Sequence, residues 1–384
     1  MQRQQTRNIL LAFILALALL ASGCRGGNSD DATSEATDGR GAVSDVVLQT
    51  FDTVTGAQGE SEIDLGLATR FNKFSVTAST GASVSFDYLL RSDGTFYANY
   101  LGERMTAATS FGAFSNTAVA PSRDFDPAVA GGNFQVKTTT VRSFVSDSNF
   151  EPAPGEPVNY TVVAHQDPDL NSGPLTLNII YVGAIPQLPA NKAAVQAAIG
   201  VARTILQGAG IAATFNEFDF AGGDVVTNPY FGSELYLNIS AAVPSPAVNV
   251  CIAADFDITG LLGISGGLPG SPLPGARSCV GISVLNNAGV GGVYGAPELN
   301  LLGETLAHET GHYLGLFHPV ETDWVTLDPL PDTAACAGQA DCVSKIQNNL
   351  MFPLPILDGL GNYVTQNQLT PQQAGVMNRH SAVF

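Results

Sequence analysis

The sequence predicts an α+β fold, in which an all-β region is followed by a region that mixes strands with helices. Between residues 45 and 170, short alternating or β-branched runs are separated by Gly, Asp, Asn and Pro, which is typical of a β-sandwich. From residue 171 onwards, strand-like runs alternate with helical periodicity, which predicts a mixed twisted sheet, a long helix and a C-terminal helix. The 384 residues are enough for two domains with separate cores.

Residues 1–24 have the features of a secretory signal peptide. Arg3 and Arg7 precede an apolar run at residues 9–20, which is too short to remain as a membrane-spanning helix. The run is followed by Ala-Ser-Gly and Cys24, which resembles a bacterial lipoprotein box and implies lipid attachment to Cys24. We therefore expect an exported chain in the cell envelope, as an outer-membrane lipoprotein that touches the membrane only through its lipid anchor. Simple secretion to the extracellular space is the alternative.

Residues 25–44 are expected to form a flexible tether, because they offer almost nothing to bury. The clearest strand patterns of the β-rich region at 45–170 lie at residues 74–77, 83–90, 134–138 and 158–163. Its single histidine, His165, is expected to be a surface or capped residue rather than a metal ligand. A targeting module, a pro-region and a structural spacer remain open as roles for this region.

The region at 171–384 shows the mixed pattern. Predicted strands lie at residues 175–182, 211–220, 234–239 and 248–253, and a predicted amphipathic helix occupies residues 190–207. Residues 260–274 are too rich in glycine and proline for regular structure and are expected to form a rim loop. A last helix is predicted after Leu369, because Thr370, Pro371 and Gln373 form a capping box.

The long helix carries three histidines at a spacing typical of a metal site. Residues 308–318 read His-Glu-Thr-Gly-His-Tyr-Leu-Gly-Leu-Phe-His. Residues four apart lie on one face of a helix, so His308 and His312 can bind a single ion. Gly315 can end the helix and turn the chain so that His318 reaches the same ion. Three imidazoles with one open position form the ligand set of a catalytic Zn²⁺.

Glu309 lies beside the first of these ligands and is the candidate general base. Its carboxylate would take a proton from the water that attacks a peptide carbonyl and pass it to the leaving amine. The helix is predicted at residues 300–314, with Asn300 as its cap and Glu304 facing water. Two alternatives remain: a helix that merely packs its histidines, and a binding protein that kept the metal site and lost turnover.

The motif from His308 to His318 resembles that of the metzincin zinc endopeptidases and is most similar to their pappalysin-type branch. The resemblance implies a metzincin-like catalytic domain, Zn²⁺ as cofactor and a protein or peptide as substrate. It also implies that Met351 forms the turn beneath the metal. Pro353 stands where pappalysin-type enzymes usually have tyrosine. The run Met351-Phe352-Pro353 is more similar to the turn of the matrixins. This similarity implies that Pro353 helps to line the specificity pocket.

Four cysteines besides Cys24 lie in the second half of the chain: Cys251, Cys279, Cys336 and Cys342. Four cysteines allow three pairings, and we favour Cys251 with Cys279 and Cys336 with Cys342, because the second pair closes a short loop. A zinc site of four cysteines is the alternative, although no C-x-x-C spacing supports it.

The net charge of −18 argues against nucleic acid as an electrostatic partner. Four acidic residues follow the third histidine and form either a Ca²⁺ site or a solvated loop: Glu321, Asp323, Asp328 and Asp332. The sequence as a whole predicts a secreted or surface-anchored zinc endopeptidase. The alternative is a cell-surface binding or adhesion lipoprotein with a vestigial zinc site.

Overall fold

The computed structural model describes residues 46–99, 112–146, 149–167, 169–221, 234–256, 258, 260–273 and 278–384. The predicted signal peptide, Cys24 and the tether lie outside the described residues. The described part contains two sheets and five helices, and it is a mixed α+β structure made mostly of sheet. None of the helices in these ranges is both long enough and apolar enough to cross a bilayer.

The first sheet is antiparallel and is built from the N-terminal part of the chain. Its hydrogen-bonded order is β1-β8-β3-β6-β2, with β4 and β5 paired to β3 and β7 paired to β6. The strands are β1 (Val46–Val54), β2 (Glu60–Leu67), β3 (Lys73–Arg91), β4 (Phe96–Asn99), β5 (Gly112–Ala120), β6 (Gly132–Ser146), β7 (Asn149–Pro152) and β8 (Pro157–His165).

Strand β3 explains why the strands form one sheet where the sequence predicted two packed sheets. The runs at 74–77 and 83–90 both lie within β3, because the chain stays extended through Gly81. The first part of β3 pairs with β8 and the second part with β6, so the strand links both halves of the sheet. Both halves contribute to one core, in which Phe74 and Phe134 meet edge to face with ring centroids 4.9 Å apart.

The second sheet has the order β10-β9-β11-β13-β12, in which β12 alone runs antiparallel to its neighbour. Its strands are β9 (Gly173–Val182), β10 (Ile211–Phe220), β11 (Val248–Ala253), β12 (Gly263–Ile264) and β13 (Val280–Ser283). Every residue of β11 is buried, and the side chains of β9 alternate between two hydrophobic clusters. Both faces of this sheet are therefore covered, as is usual for parallel strands.

Five helices accompany these sheets: α1 (Pro189–Gly208), α2 (Glu234–Ala242), α3 (Ala296–Tyr313), α4 (Gln339–Ile346) and α5 (Pro371–Arg379). Helix α2 occupies the segment that was predicted as a strand, and that prediction was wrong. A segment of six residues, four of them apolar, is too short to distinguish a strand from a buried helix. The described part of the predicted rim loop, residues 260–273, is mostly irregular, as expected, but it contains β12 and buries Ser271.

Helix α3 begins earlier than the sequence suggested. The backbone N–H of Gly295 donates to the Glu298 carboxylate at 2.9 Å, so the helix starts after Gly295 with Glu298 as its cap, and the predicted cap at Asn300 was wrong. The prediction that Glu304 faces water was also wrong, since its side chain is buried. A Cβ atom on Gly303 would lie 2.7 Å from the Ala198 carbonyl oxygen, so α3 crosses α1 closely at this glycine.

The C-terminal segment joins the two sheets through Lys73. The Lys73 ammonium is fully buried and donates to Oδ2 of Asp167 at 2.6 Å and to the carbonyl oxygens of Asn378 at 2.9 Å and Val383 at 2.7 Å. His165 is buried beside Phe384, with ring centroids 5.3 Å apart, so its predicted surface position was wrong. The C-terminal segment covers this histidine, which the sequence did not indicate. The domain boundary near residue 170 remains a prediction.

Both favoured disulfides are present in the structure. Cys251 on β11 is bonded to Cys279, and Cys336 is bonded to Cys342 in α4. The second disulfide belongs to a small cluster with Val320 and Phe352. This cluster therefore packs the segment after the third motif histidine against the segment around Met351.

Candidate metal centre

The structure brings the three motif histidines together. The ligand-capable atoms of His308, His312 and His318 all lie within 4.8 Å of one another, and Nε2 of His312 is 3.1 Å from Nε2 of His318. Among the residues that the structure describes, these three form the one group of at least three His, Cys, Asp or Glu side chains able to hold a metal ion. The four-cysteine zinc alternative is excluded, because these cysteines are paired in disulfides.

The local backbone accounts for this convergence. His308 and His312 lie one turn apart on α3, with ring centroids 4.7 Å apart. Helix α3 ends at Tyr313, and Gly315 adopts a φ of 107°, in the left-handed region that favours glycine. The turn is closed by the backbone N–H of Gly315, which donates to the His312 carbonyl at 2.9 Å. The turn predicted at Gly315 thus brings His318 back beside His308 and His312.

Each histidine already has an acceptor at its Nδ1 atom. Nδ1 of His308 lies 2.7 Å from the Leu350 carbonyl oxygen, and Nδ1 of His312 lies 2.6 Å from the Leu316 carbonyl oxygen. Nδ1 of His318 lies 2.9 Å from Oε2 of Glu321. A proton on each Nδ1 satisfies these acceptors and leaves the Nε2 lone pairs free, which is the arrangement that orients imidazoles toward a metal.

The electrostatic environment favours neutral imidazoles. Burial, together with the neighbouring His318, lowers the pKa of His308 to about 3 and lowers the pKa of His312 well below its ordinary value. A neutral imidazole is the form that binds a cation. Three imidazole nitrogen donors with their Nδ1 atoms engaged therefore fit a Zn²⁺ ion.

Glu309 lies against the edge of the second sheet. Its side chain is 8% exposed, and burial raises the pKa of its carboxyl to about 8. A Cβ atom on Gly263 of β12 would lie 2.6 Å from Cγ of Glu309 and 2.9 Å from Cγ2 of Thr305. Glycine at this position therefore gives Glu309 the space it occupies, a role that the sequence did not reveal.

Met351 packs against α3 at Gly311, and its predicted place in a turn beneath the metal remains a prediction. Met351 is fully buried, and a Cβ atom on Gly311 would lie 2.7 Å from its Sδ atom. The methionine turn, defined here as residues 349–353, is shaped by Asn349, whose Oδ1 accepts from the Met351 N–H at 2.9 Å. This turn also supplies the Leu350 carbonyl that binds His308.

Helix α5 holds the methionine turn through hydrogen bonds between Gln373 and Asn349. The Asn349 amide donates to Oε1 of the fully buried Gln373 at 2.8 Å, and the Gln373 amide donates back at 3.3 Å. The predicted capping box is confirmed, because Thr370 Oγ1 accepts from the Gln373 N–H at 3.1 Å. The contact between Gln373 and Asn349 could not be predicted from the sequence, because a capping box involves only neighbouring residues and does not indicate which distant residue the Gln373 side chain will contact.

The segment after the methionine turn exposes apolar side chains. Pro353 is half-buried, and the hairpin at residues 357–363 is closed by a bridge between Leu357 and Tyr363. Leu360 at its tip is 88% exposed. The role of Pro353 in a specificity pocket remains a prediction.

The four acidic residues after the third histidine accept hydrogen bonds from separate partners. Glu321 binds His318, and Asp323 accepts from the N–H groups of its own turn. Asp328 accepts from Thr333 Oγ1 at 3.0 Å, while burial raises the pKa of its carboxyl to about 7. Asp332 accepts from Thr370 Oγ1 and from the N–H of Gln372 at the start of α5. These contacts give each carboxylate a local role, and Ca²⁺ binding stays a prediction.

No protein-family model matches the chain, and no curated protein does. Among solved structures, the chain is similar to archaemetzincin from Methanopyrus kandleri, with 15% identity and a TM-score of 0.29 over 55% of this chain and 88% of that chain. It is also similar to metalloproteinase-II from Bacteroides fragilis, with 15% identity and a TM-score of 0.28 over 48% of this chain and 60% of that chain. Likenesses with such low scores carry no weight, so the interpretation of the centre rests on its own side chains.

Proposed function

We propose that the chain is a zinc-dependent endopeptidase that hydrolyses peptide bonds of proteins. One observation carries this proposal. The Nδ1 atoms of three clustered histidines are all engaged, which leaves three Nε2 atoms for a metal, and the buried carboxylate of Glu309 lies beside them. A site that only held a metal for structural reasons would have no need of that carboxylate.

His308, His312 and His318 would hold the ion. Zn²⁺ in such a site supplies a Lewis acid that polarises a carbonyl and makes water acidic near neutral pH. Glu309 takes the proton of the attacking water and delivers it to the nitrogen of the leaving amine. The low exposure of Glu309 favours this exchange, because burial raises the pKa of its carboxyl above its ordinary value and so makes the carboxylate a stronger base.

The position of β12 supports a peptide substrate. This strand is the last one at its end of the described sheet, and its Gly263 contacts the side chain of Glu309. An extended peptide that added to this edge by main-chain hydrogen bonds would run past the catalytic carboxylate.

The finer assignments are proposals based on the sequence. We assign the enzyme to the metzincins, nearest to the pappalysin-type branch, with an N-terminal β-rich domain at 45–170 and a catalytic domain at 171–384. Cleavage before Cys24 and lipidation of that cysteine would anchor the chain in the cell envelope. The mass of the mature protein isolated from membranes tests both modifications together.

The decisive experiment for catalysis is Glu309→Gln. The variant should keep its zinc, since the three histidines are unchanged, and should lose on the order of 10²- to 10⁴-fold in peptide cleavage. Glu304→Gln is the matched control, because Glu304 is a second buried carboxylate on α3, and its amide counterpart can accept the same hydrogen bonds. We expect the control to cleave peptides at the wild-type rate.

The competing function is a binding or adhesion lipoprotein with a vestigial zinc site. If zinc-loaded wild-type protein cleaves no member of a diverse peptide library, the binding function is supported. If the wild-type protein and Glu309→Gln cleave peptides at equal rates, the protein is still a peptidase but Glu309 is not its general base.

A further inference from the structure

The three histidines of the metal centre differ in what holds their Nδ1 atoms. His308 and His312 contact main-chain carbonyl oxygens, whereas His318 contacts the side chain of Glu321, with Nδ1 and Oε2 2.9 Å apart. The side chains of His318 and Glu321 are 14% and 18% exposed. Within this centre, His318 is therefore the histidine whose ring orientation depends on another side chain.

His318 lacks the support that the other two histidines receive from α3. It follows the glycine turn, and residues 316–318 belong to no helix or strand. A histidine on irregular backbone can rotate away from its neighbours at little cost unless a second contact fixes the ring. The carboxylate of Glu321 provides that contact.

Glu321 itself is held by main-chain hydrogen bonds. Its N–H donates to the Thr326 carbonyl oxygen at 2.8 Å, and its carbonyl oxygen accepts from the Trp324 N–H at 2.8 Å. An antiparallel bridge between Val320 and Leu327 closes the hairpin at residues 320–327 around it. The carboxylate thus projects toward His318 from a fixed base.

The tip of the hairpin at 320–327 is also ordered by packing. Trp324 adopts a φ of 59°, which is rare for a residue with a bulky side chain, and its ring lies 6.0 Å from that of Phe352 in the methionine turn. Asp323 accepts from the N–H groups of Val325 and Thr326 at 2.9 Å. These contacts hold the turn without involving His318, so the turn and the histidine contact can be perturbed separately.

We propose that Glu321 is a positioning residue that orients the third histidine and strengthens its binding to Zn²⁺, an inference that rests on the zinc site of the proposed function. As an acceptor, the carboxylate keeps the proton on Nδ1 and leaves Nε2 as the donor atom toward the metal. Its negative charge also raises the electron density of the imidazole and so strengthens it as a ligand. Glu321 thereby serves a histidine, whereas the sequence offered a Ca²⁺ site or a solvated loop for the acidic residues of this segment.

The test compares the Zn²⁺ affinity of the full chain and its variants by competition with a chromogenic chelator. Glu321→Leu removes both the acceptor and the charge and should weaken Zn²⁺ binding by roughly 10- to 100-fold. Glu321→Gln keeps an acceptor oxygen and should fall between the wild-type protein and Glu321→Leu. Asp323→Ala is the matched control in the same hairpin and should bind Zn²⁺ like the wild-type protein.

Two further readouts separate positioning from a merely structural role. The absorption spectrum of the Co²⁺-loaded protein should change in Glu321→Leu, because the third ligand is displaced, and should remain unchanged in Asp323→Ala. The unfolding midpoint of the metal-free protein should be nearly the same for wild-type protein and Glu321→Gln. If Glu321→Leu does not fold, the affinity of the isosteric Glu321→Gln decides, with about a tenfold loss expected.

The outcomes distinguish this inference from the proposed function. Wild-type protein that binds no Zn²⁺ contradicts the proposed function itself. Wild-type protein that binds Zn²⁺ as tightly as both Glu321 variants leaves the proposed function intact and overturns the positioning role. Equal losses in Glu321→Leu and Asp323→Ala would also overturn it, because the effect would then come from the hairpin.

Discussion

Nδ1 of His308 lies 2.7 Å from the carbonyl oxygen of Leu350, although 42 positions separate the two residues in the sequence. This contact joins the helix that carries the histidines to the turn that carries Met351. The orientation of the His308 ring is thus fixed by a main-chain carbonyl. A side-chain substitution at Leu350 would leave that carbonyl in place. The methionine turn is therefore expected to affect the metal centre through the Leu350 carbonyl as well as through the packing of Met351.

The support that α5 gives to the methionine turn leads to a first prediction. Gln373→Leu leaves the Asn349 amide without its buried partner, which should lower the free energy of unfolding by about 1–3 kcal/mol. The Leu350 carbonyl should also shift and weaken Zn²⁺ binding. Chemical denaturation and chelator competition measure the two effects. An unchanged Zn²⁺ affinity in a destabilised variant would show that α5 acts on stability alone.

The close contact between β12 and Glu309, the proposed catalytic carboxylate, leads to a second prediction. The new methyl group of Gly263→Ala would overlap with Cγ of Glu309 and displace its carboxylate. We expect peptide cleavage to fall on the order of 10²-fold with Zn²⁺ retained, since a displacement of about 1 Å can have that effect. Gly200→Ala on α1, where nothing lies within 4 Å of the new atom, is the control. Full activity of Gly263→Ala would contradict the assigned position of the base.

These contacts show what the sequence could and could not reveal. The convergence of His308, His312 and His318 was predictable, because helical periodicity and a glycine turn act over a few residues. The start of α3 was missed, because its cap is the Glu298 carboxylate acting on Gly295 rather than a polar residue at the cap position itself.

Contacts over long sequence distances had no such local signal. Lys73 binds carbonyl oxygens 305 and 310 positions away, and β3 continues through a glycine that resembles a strand end. Glu321 looked like one of several solvated acidic residues until its distance to His318 was known. In each of these cases the partner is determined by tertiary packing, which a single sequence does not specify.

A third prediction concerns the buried lysine that joins the C-terminal segment to the first sheet. Lys73→Met leaves the Asp167 carboxylate and two main-chain carbonyls without their donor, which should lower the free energy of unfolding by about 3–5 kcal/mol. Lys192→Met is the matched control, because its ion pair with Asp219 is exposed and should contribute about 0–1 kcal/mol. Similar losses for the two variants in urea unfolding would show that the buried contact does not stabilise the fold.

A fourth prediction follows from His380, which is fully buried with both ring nitrogens engaged. Nε2 lies 3.0 Å from the Gly270 carbonyl oxygen, and Nδ1 accepts from the Ala382 N–H at 3.1 Å, so protonation would break the second contact. Burial lowers the pKa of His380 to about 4. Because the unfolded chain binds this proton near pH 6.5, the stabilisation is complete above that pH and is lost as the pH falls toward 4.

His380→Asn isolates this effect from groups that act in the opposite direction. Burial raises the pKa values of Glu309 and Asp328, and their contribution to the pH dependence is the same in both proteins. The stability advantage of the wild-type protein over the variant should therefore shrink by about 2 kcal/mol between pH 7 and pH 5. Urea unfolding at both pH values measures it. A constant advantage would mean that His380 does not titrate with the expected shift.

The most direct test of the account is the zinc content of the purified chain after free metal has been removed. We predict about one Zn²⁺ per wild-type chain and essentially none in His312→Ala, since three imidazoles are the ligand set of a catalytic zinc. Wild-type chain without tightly bound metal, or His312→Ala with an undiminished zinc content, would contradict the claim that these three histidines form a zinc centre.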